Sequence, residues 1–125
     1  LEAVRYSVTG YELEEFMHGV YHSIDQDTFM FYLGSEGQYY NRMMNMRNYF
    51  EKERGNKNFV ITSDKGLEKD PHNLIFDFKN HPYFASIEYV VPLQVLARKL
   101  SSDLGIDCNL SSDPGFHKKM GSYTY

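Results

Sequence analysis

Apolar and polar segments alternate at short intervals along the chain. Some apolar segments are runs of about five residues rich in β-branched or aromatic side chains, a pattern typical of β-strands. These runs predict strands at residues 4–8, 28–33, 58–62 and 74–78. The run at 28–33 is almost continuously apolar, which predicts a strand that is buried on both faces.

Longer segments carry apolar residues three or four positions apart, the spacing of one helix face. They predict helices at about 13–24, in part, and at 38–53 and 85–104. Gly55 and Gly105 follow the second and third of these segments, where glycine commonly ends a helix. Pro92 lies inside the third segment and predicts a kink or a helix start nearby. Residues 106–125 have no periodicity, so this tail is predicted to be irregular.

Strands and helices that alternate at these lengths predict an α/β fold with an open, mostly parallel sheet flanked by helices. In such sheets ligands bind beyond the carboxyl ends of the strands. A ligand site is therefore expected in the loops that follow Val8, Leu33, Thr62 and Phe78.

Composition narrows the possible functions. The chain has 125 residues, enough for one domain at most, and a formal net charge of -4. An acidic balance disfavours nucleic acid as a partner, because phosphate backbones require clustered Lys and Arg. No apolar run reaches the roughly 18 residues of a membrane span, so no membrane partner is predicted. A single cysteine, Cys108, excludes an internal disulfide framework and favours the reducing cytoplasm.

Two short motifs have both a structural and a functional interpretation. The glycine-flanked turn at residues 34–37 follows a predicted strand and precedes a predicted helix, where a phosphate cradle could form. No lysine follows it, and Glu36 would repel a phosphate, which favours a plain turn. His18 and His22 have the i, i+4 spacing of metal ligands, but no third ligand is evident and no metal is predicted.

Basic residues near the C-terminus also allow two interpretations. Lys118 and Lys119 follow His117 and could form a solvated basic patch. The aromatic ending of the chain favours a docked tail, and a lysine on such a tail could reach a site on the sheet. Burial there would lower the lysine pKa towards values useful for a nucleophile or a base.

Three segments resemble the sugar isomerase (SIS) domain family. Residues 12–19, ELEEFMHG, resemble its E-x-x-H-G-P signature, and residues 91–97, VPLQVLA, resemble its V-P-L-Q-L-L-A helix. Residues 113–125 resemble the C-terminal tail of the glucosamine-phosphate synthases and fructosamine-phosphate deglycases. The three segments occur in the family's order and together cover essentially the whole chain. The resemblance implies a flavodoxin-like fold that corresponds to the second of two SIS domains. It also implies that this domain is incomplete, because the strand and helix expected before Leu1 are missing.

The resemblance gives roles to five residues. His18 matches a histidine that helps to open the sugar ring and can act in the neighbouring subunit's site. Glu2, sixteen positions before that histidine, matches the base that moves a proton between C1 and C2 of the open-chain sugar. Lys119 matches a tail lysine that contacts the sugar carbonyl, with Lys118 as the neighbouring alternative. Gly19, beside the histidine, would border the substrate. Glu and His supply this proton transfer without a metal or cofactor, so none is predicted.

The implied reaction acts at C1 or C2 of a hexose 6-phosphate or fructosamine 6-phosphate. It could be an isomerisation, a deglycation or an amino transfer, and the residues leave this choice open. The implied assembly is a homo-oligomer. The alternatives are a non-catalytic, regulatory phosphosugar-binding module and an inactive fragment.

Two departures from the family pattern bear on this expectation. Val20 stands where the family usually has proline after His-Gly. The Ser/Thr-rich loop that holds the sugar phosphate lies in the other SIS domain of related synthases, and nothing here resembles it. The nearest candidates, Ser35 and Ser63, lie in a different context. This chain alone is therefore expected to bind its substrate poorly.

Overall fold

A computed structural model describes residues 3–122 of the chain. It divides the chain into two compact units, each described here by itself. The sheet unit comprises residues 10–92, and the tail unit comprises residues 93–125 with the first nine residues.

The described part of the sheet unit contains a parallel sheet of three strands in the order β1-β2-β3. The strands are β1 (Met30–Gly34), β2 (Asn58–Thr62) and β3 (Asn73–Ile75). The register pairs Met30 with Asn58 and Thr62 with Ile75. The predicted α/β fold with an open parallel sheet is therefore confirmed.

Helices accompany this sheet along the chain. They are α1 (Leu13–Met17), a 3₁₀ helix (Val20–Ser23), α2 (Tyr40–Lys52) and α3 (Ala85–Asp103). The prediction of partial helix at 13–24 is confirmed, and the break falls at Gly19. The φ of Gly19 is +141°, a backbone conformation that residues with a Cβ rarely adopt.

The core of the sheet unit lies between α2 and one face of the sheet. It is a cluster of buried apolar side chains: Phe16, Met30, Tyr32, Met43, Phe50 and Val60. The rings of Phe16 and Phe50 meet edge to face at 5.8 Å, a favoured aromatic geometry. The apolar positions predicted for the second helix thus supply its buried face through Met43 and Phe50.

The strand predicted at residues 28–33 corresponds to β1, and the prediction that it is buried on both faces is wrong. Side chains of β1 alternate between buried and exposed, and Phe31 and Leu33 are 42% and 47% exposed. The Phe31 ring stacks on Phe59 of β2 at 5.0 Å. The buried residues of β1, Met30 and Tyr32, belong to the core cluster with Met43 and Phe50 of α2, whereas Phe31 and Leu33 alternate with them and lie on the opposite face.

Strand β3 is shorter than predicted and begins one residue earlier. Its pairing with β2 ends where β2 ends, at Thr62. The Phe76 N–H still donates to the Thr62 carbonyl at 2.8 Å, after which the chain leaves the sheet. Residues 77–78, predicted as strand, therefore belong to a loop beyond the carboxyl end of the sheet.

Helix α3 runs through Pro92 without interruption, so the predicted alternative of a helix start near Pro92 is wrong. Within residues 3–122, no helix combines the length and apolar character needed to cross a membrane.

The strand predicted at residues 4–8 is also wrong. In the tail unit, residues 3–4 form a turn and Arg5 has a φ of +56°. Hydrogen bonds from side chains to backbone carbonyls hold this segment, and it has no strand pairing. Ser101 Oγ lies 2.7 Å from the Ala3 carbonyl oxygen, and Arg5 Nη2 donates to the Leu110 carbonyl at 3.2 Å. Residues 106–122 are irregular, as predicted, apart from the four-residue helix α4 (Phe116–Lys119).

Candidate functional site

An open cleft of about 560 Å³ lies at the carboxyl ends of the three strands. This is the edge where parallel α/β sheets bind ligands. Residues after all three strands and the first turn of α2 line it: Glu36, Gly37, Tyr40, Asn41, Ser63, Asp64, Lys65, Asp77 and Phe78. Two of the four loops named from the sequence pattern, those after Leu33 and Thr62, therefore line one cleft. Asp77 and Phe78, which were predicted as the end of a strand, line it as well.

Gly34 ends β1 where the chain turns towards α2. A Cβ at this position would lie 3.0 Å from both Met43 Cε and a Tyr40 ring carbon, so a larger residue would push these two side chains of α2 aside. The turn at residues 34–37 thus serves close packing of strand against helix. A phosphate cradle, the other interpretation of this motif, has no further support from the turn's contacts.

Hydrogen bonds connect the end of β1 to its neighbours. Thr62 Oγ1 donates to the Gly34 carbonyl at 2.8 Å, and the Tyr89 hydroxyl donates to the same carbonyl at 3.0 Å. The Tyr89 hydroxyl also lies 3.1 Å from Asn80 Oδ1. Tyr89 and Thr62 are both buried, so these bonds are shielded from water and fix the cleft wall.

A second chain of hydrogen bonds reaches the cleft surface. Asn80 Nδ2 donates to Ser63 Oγ at 2.7 Å, and Ser63 Oγ donates to Glu36 Oε1 at 3.2 Å. The φ of Asn80 is +50°, a left-handed conformation that asparagine tolerates better than most residues. Glu88 holds this backbone, because its carboxylate accepts the N–H groups of Lys79 and Asn80 at 2.8 and 2.9 Å.

Asp64 and Asp77 project from the loops after β2 and β3. The Tyr40 hydroxyl donates to Asp64 Oδ2 at 2.9 Å, and the Gly66 N–H donates to Oδ1 at 2.8 Å. Lys65 Nζ donates to Asp77 Oδ1 at 2.9 Å, and this contact lowers the pKa of Asp77. Burial raises the pKa of Tyr40, which stays protonated and able to donate to Asp64 at neutral pH.

The residues named from the family resemblance lie elsewhere. His18 ends α1, is exposed and is not among the lining residues of the cleft. Lys118 and Lys119 belong to α4 in the tail unit and are exposed. Glu2 falls outside the described residues. Since His18 and the lysines belong to different units, their common site stays a prediction.

Ser63, Ser35 and His22 also stood out in the sequence, and each lies in a different environment. Ser63 is buried, and its hydroxyl already serves Glu36 and Asn80. Ser35 is exposed and lines a smaller neighbouring depression with Leu13 and Leu33. The His22 ring packs on Tyr21 at 4.0 Å. Residues 3–122 contain no group of three His, Cys, Asp or Glu side chains arranged to hold a metal ion.

The sequence pattern predicted the loops after Leu33 and Thr62 as parts of a site, but it did not indicate two residues whose hydrogen bonds fix the cleft wall. Asn80 and Tyr89 come from the segment after β3 and the first half of α3, and neither stands in a recognisable motif. An asparagine shortly after a strand is an ordinary turn residue. Only the fold reveals that Tyr89 reaches back to the end of β1.

Comparisons with known proteins give no match to a family model, a curated protein or a solved structure. The resemblance to SIS domains thus stays a prediction from the residues quoted above.

The Tyr89→Phe variant should unfold more easily by about 1 kcal/mol, because the Gly34 carbonyl and Asn80 Oδ1 lose the single hydroxyl donor that lies within reach of both. Burial raises the pKa of Tyr89 above its ordinary value near 10, so the native state holds its proton where the unfolded state loses it. Stability from this hydroxyl is present below pH 10 and falls as pH rises further. Urea unfolding at pH 7 measures the stability that Tyr89→Phe loses, and urea unfolding at pH 10.5 measures how far its difference from the wild type has shrunk.

Tyr83→Phe is the matched control, because this side chain is 85% exposed. This variant should have the same urea unfolding midpoint as the wild type at both pH values. A Tyr89→Phe midpoint equal to that of the wild type at pH 7 would contradict the role given to the Tyr89 hydroxyl.

Proposed function

We propose that this chain is part of a sugar-phosphate enzyme that acts at C1 or C2 of a hexose 6-phosphate or fructosamine 6-phosphate. The observation that carries the proposal is the ordered resemblance of residues 12–19, 91–97 and 113–125 to three segments of SIS domains. The parallel α/β sheet with a polar cleft at its carboxyl edge is compatible with this family. We place the enzyme in the cytoplasm, because its sequence contains a single cysteine.

The proposed mechanism uses side chains alone. Glu2 removes a proton from one of the two reacting carbons of the open-chain sugar and returns it to the other. His18 acts as acid and base at the ring oxygen, so that the ring opens before the proton moves. Lys119, or its neighbour Lys118, polarises the carbonyl or forms an imine with it. Gly19 borders the substrate and leaves room beside His18.

The location of His18 supports its part in this mechanism. Its side chain is exposed, and the chain turns sharply at Gly19 directly after it. This turn ends α1, so the imidazole lies at the end of a helix and remains accessible to a ligand.

A turnover assay of the full-length protein tests the proposal. Fructose 6-phosphate, glucosamine 6-phosphate and a fructosamine 6-phosphate are offered separately, with ammonia or glutamine as nitrogen donor where amino transfer is measured. We expect turnover of at least one of them, which also decides between isomerase, aminotransferase and deglycase. Failure to convert any member of the panel would overturn the enzymatic proposal.

The alternative is a regulatory module that binds a phosphosugar without converting it, or a fragment that binds none. Glu2, His18 and Lys119 favour the enzyme, because a sensor does not need all three. Thermal-shift titration with fructose 6-phosphate separates the cases. A shift without turnover supports the sensor, and a shift of the full-length protein but not of this chain alone locates the phosphate site outside the chain.

The proposal includes self-association, because apolar side chains are exposed on β1 and on α3. On β1, Phe31 and Leu33 are both more than two-fifths exposed. We expect the chain to form dimers or larger species in light scattering at micromolar concentration, and Phe31→Ser to weaken this association. The matched control is Tyr83→Ser, an equally large loss of aromatic area at a loop position. A strictly monomeric wild-type chain would contradict this part of the proposal.

A further inference from the structure

Strand β1 forms one edge of the sheet. Within residues 3–122 it pairs with β2 alone, and its other side has no neighbouring strand. The Met30 N–H donates to the Lys57 carbonyl at 3.1 Å, so Met30 directs its backbone groups towards the β2 side. Because the backbone groups of successive residues in a strand point to opposite sides, Phe31 and Leu33 direct theirs to the open edge.

This edge lacks the features that usually protect an edge strand. Residues 28–33, TFMFYL, contain no charged residue, no proline and no glycine. The five residues of β1 pair one to one with those of β2, so no bulge twists the edge away. Short uncharged segments rich in aromatic residues pair readily with a further strand. The N–H and C=O groups of Phe31 and Leu33 are therefore open to an added strand.

The residues at this edge also expose apolar side chains on one face of the sheet. Phe31 and Leu33 are exposed, as is Phe29 directly before β1. Met30 and Tyr32 alternate with them and belong to the buried core cluster. An added strand that bonds to the edge would therefore also cover apolar surface of the exposed side chains, and both effects favour its binding.

The edge is complementary to a second copy of itself. In an antiparallel pair, residues that direct their backbone groups to the partner strand must lie opposite residues that do the same. This condition is met when Phe31 lies opposite Phe31 of the second copy. Phe29 then lies opposite Leu33, so each exposed apolar side chain faces another apolar side chain.

Charges beside β1 do not oppose this pairing. The nearest charged residues along the chain are Asp27 and Glu36. Both lie in the loops at the ends of β1, outside the segment that would pair. No charged side chain of the paired segment therefore meets a like charge, the arrangement that destabilises cross-strand pairs.

We propose that the open edge of β1 is an interface with a second copy of this chain, formed by antiparallel pairing of the two β1 strands about a two-fold axis at Phe31. The sheets of the two copies then become continuous. Hydrogen bonds are exchanged between the two Phe31 residues and between Leu33 of each copy and Phe29 of the other. This inference rests on the self-association included in the proposed function, for which it names the surface, and it requires none of the proposed chemistry.

Engineered disulfides test the pairing and its register. In every variant Cys108→Ser removes the native thiol, which is exposed. Phe31→Cys places two cysteines opposite each other at a Cα separation of about 5.5 Å, within the range of a disulfide. Leu33→Cys is the matched control, since it lies on the same strand and face but about 14 Å from its counterpart.

We expect air oxidation to give about tenfold more cross-linked dimer from Phe31→Cys than from Leu33→Cys, because only the first pair satisfies disulfide geometry. A mixture of Leu33→Cys and Phe29→Cys should give the mixed dimer, which neither variant forms alone. Non-reducing gel electrophoresis and mass spectrometry measure these products. Equal cross-linking of Phe31→Cys and Leu33→Cys, or no cross-linking of Phe31→Cys, would overturn the proposal.

Amide hydrogen exchange of the wild-type chain keeps the proposal testable if a cysteine variant does not fold. The Phe31 and Leu33 amides should exchange about tenfold more slowly at a concentration where the chain is dimeric than where it is monomeric. The Tyr32 amide, which faces β2, is the internal control and should exchange equally slowly at both. Dimers whose Phe31 and Leu33 amides gain no protection would overturn this interface alone, and a strictly monomeric chain would also overturn the self-association. Turnover of the sugar phosphates bears on neither outcome.

Discussion

The His18→Ala variant of the full-length protein is expected to lose turnover by about 10²- to 10⁴-fold, the usual contribution of a positioned acid–base group. The reason is the proposed transfer of a proton at the ring oxygen, without which the sugar stays closed. The fold should be unaffected, because the His18 side chain is exposed. Steady-state turnover of the best substrate from the panel, measured beside circular dichroism, separates lost chemistry from lost structure.

His22→Ala is the matched control for this variant. It removes the same type of side chain four residues later, at an exposed position of the 3₁₀ helix. Its turnover should stay within about twofold of the wild type. A His18→Ala enzyme that retains full turnover would refute the role given to His18, and equal losses in both variants would point to a structural effect.

The Phe50→Ala variant is expected to lose about 3–5 kcal/mol of unfolding free energy, the cost found for deleting a buried aromatic ring. Phe50 is 2% exposed and lies at the centre of the cluster between α2 and the sheet. Its ring meets Phe16 of α1 edge to face and Tyr49 at 5.4 Å, so its removal leaves a cavity that three elements border. A loss of this size is a large fraction of the stability of a small domain.

Urea unfolding followed by circular dichroism measures this effect. Phe29→Ala serves as the comparison, because the same ring at that position is 59% exposed and should contribute about 1 kcal/mol or less. Equal losses in the two variants would contradict the location of the core. If Phe50→Ala does not fold, Phe50→Leu should fold with an intermediate loss.

Local patterns predicted much of the fold. The helix spacing of Met43 and Phe50 and the glycine at Gly55 gave α2 nearly its observed bounds, and β2 was predicted with its observed bounds. Errors arose where a local pattern depends on distant partners. The alternation at residues 4–8 is typical of a strand, but no neighbouring strand pairs with it in the described structure.

The same limit applies to the cleft. The rule that ligands bind beyond parallel strands directed attention to four loops, and two of them, those after Leu33 and Thr62, line the cleft. The contacts that fix its wall could not be predicted, because Tyr89 reaches Gly34 across 55 positions of sequence. Such contacts follow from packing and leave no periodic trace along the chain.

The central claim is that this chain contributes Glu2 and His18 to proton transfer between C1 and C2 of a phosphorylated sugar. The most direct measurement follows a deuterium label: the full-length protein is incubated in H₂O with fructose 6-phosphate or a fructosamine 6-phosphate deuterated at C1, and NMR follows the label at C1 and C2. We predict that the wild-type protein moves the label to C2 or exchanges it for solvent hydrogen, and that Glu2→Gln does neither. A label that stays at C1 of both substrates with the wild-type protein, or that leaves C1 equally fast with Glu2→Gln, would contradict the claim.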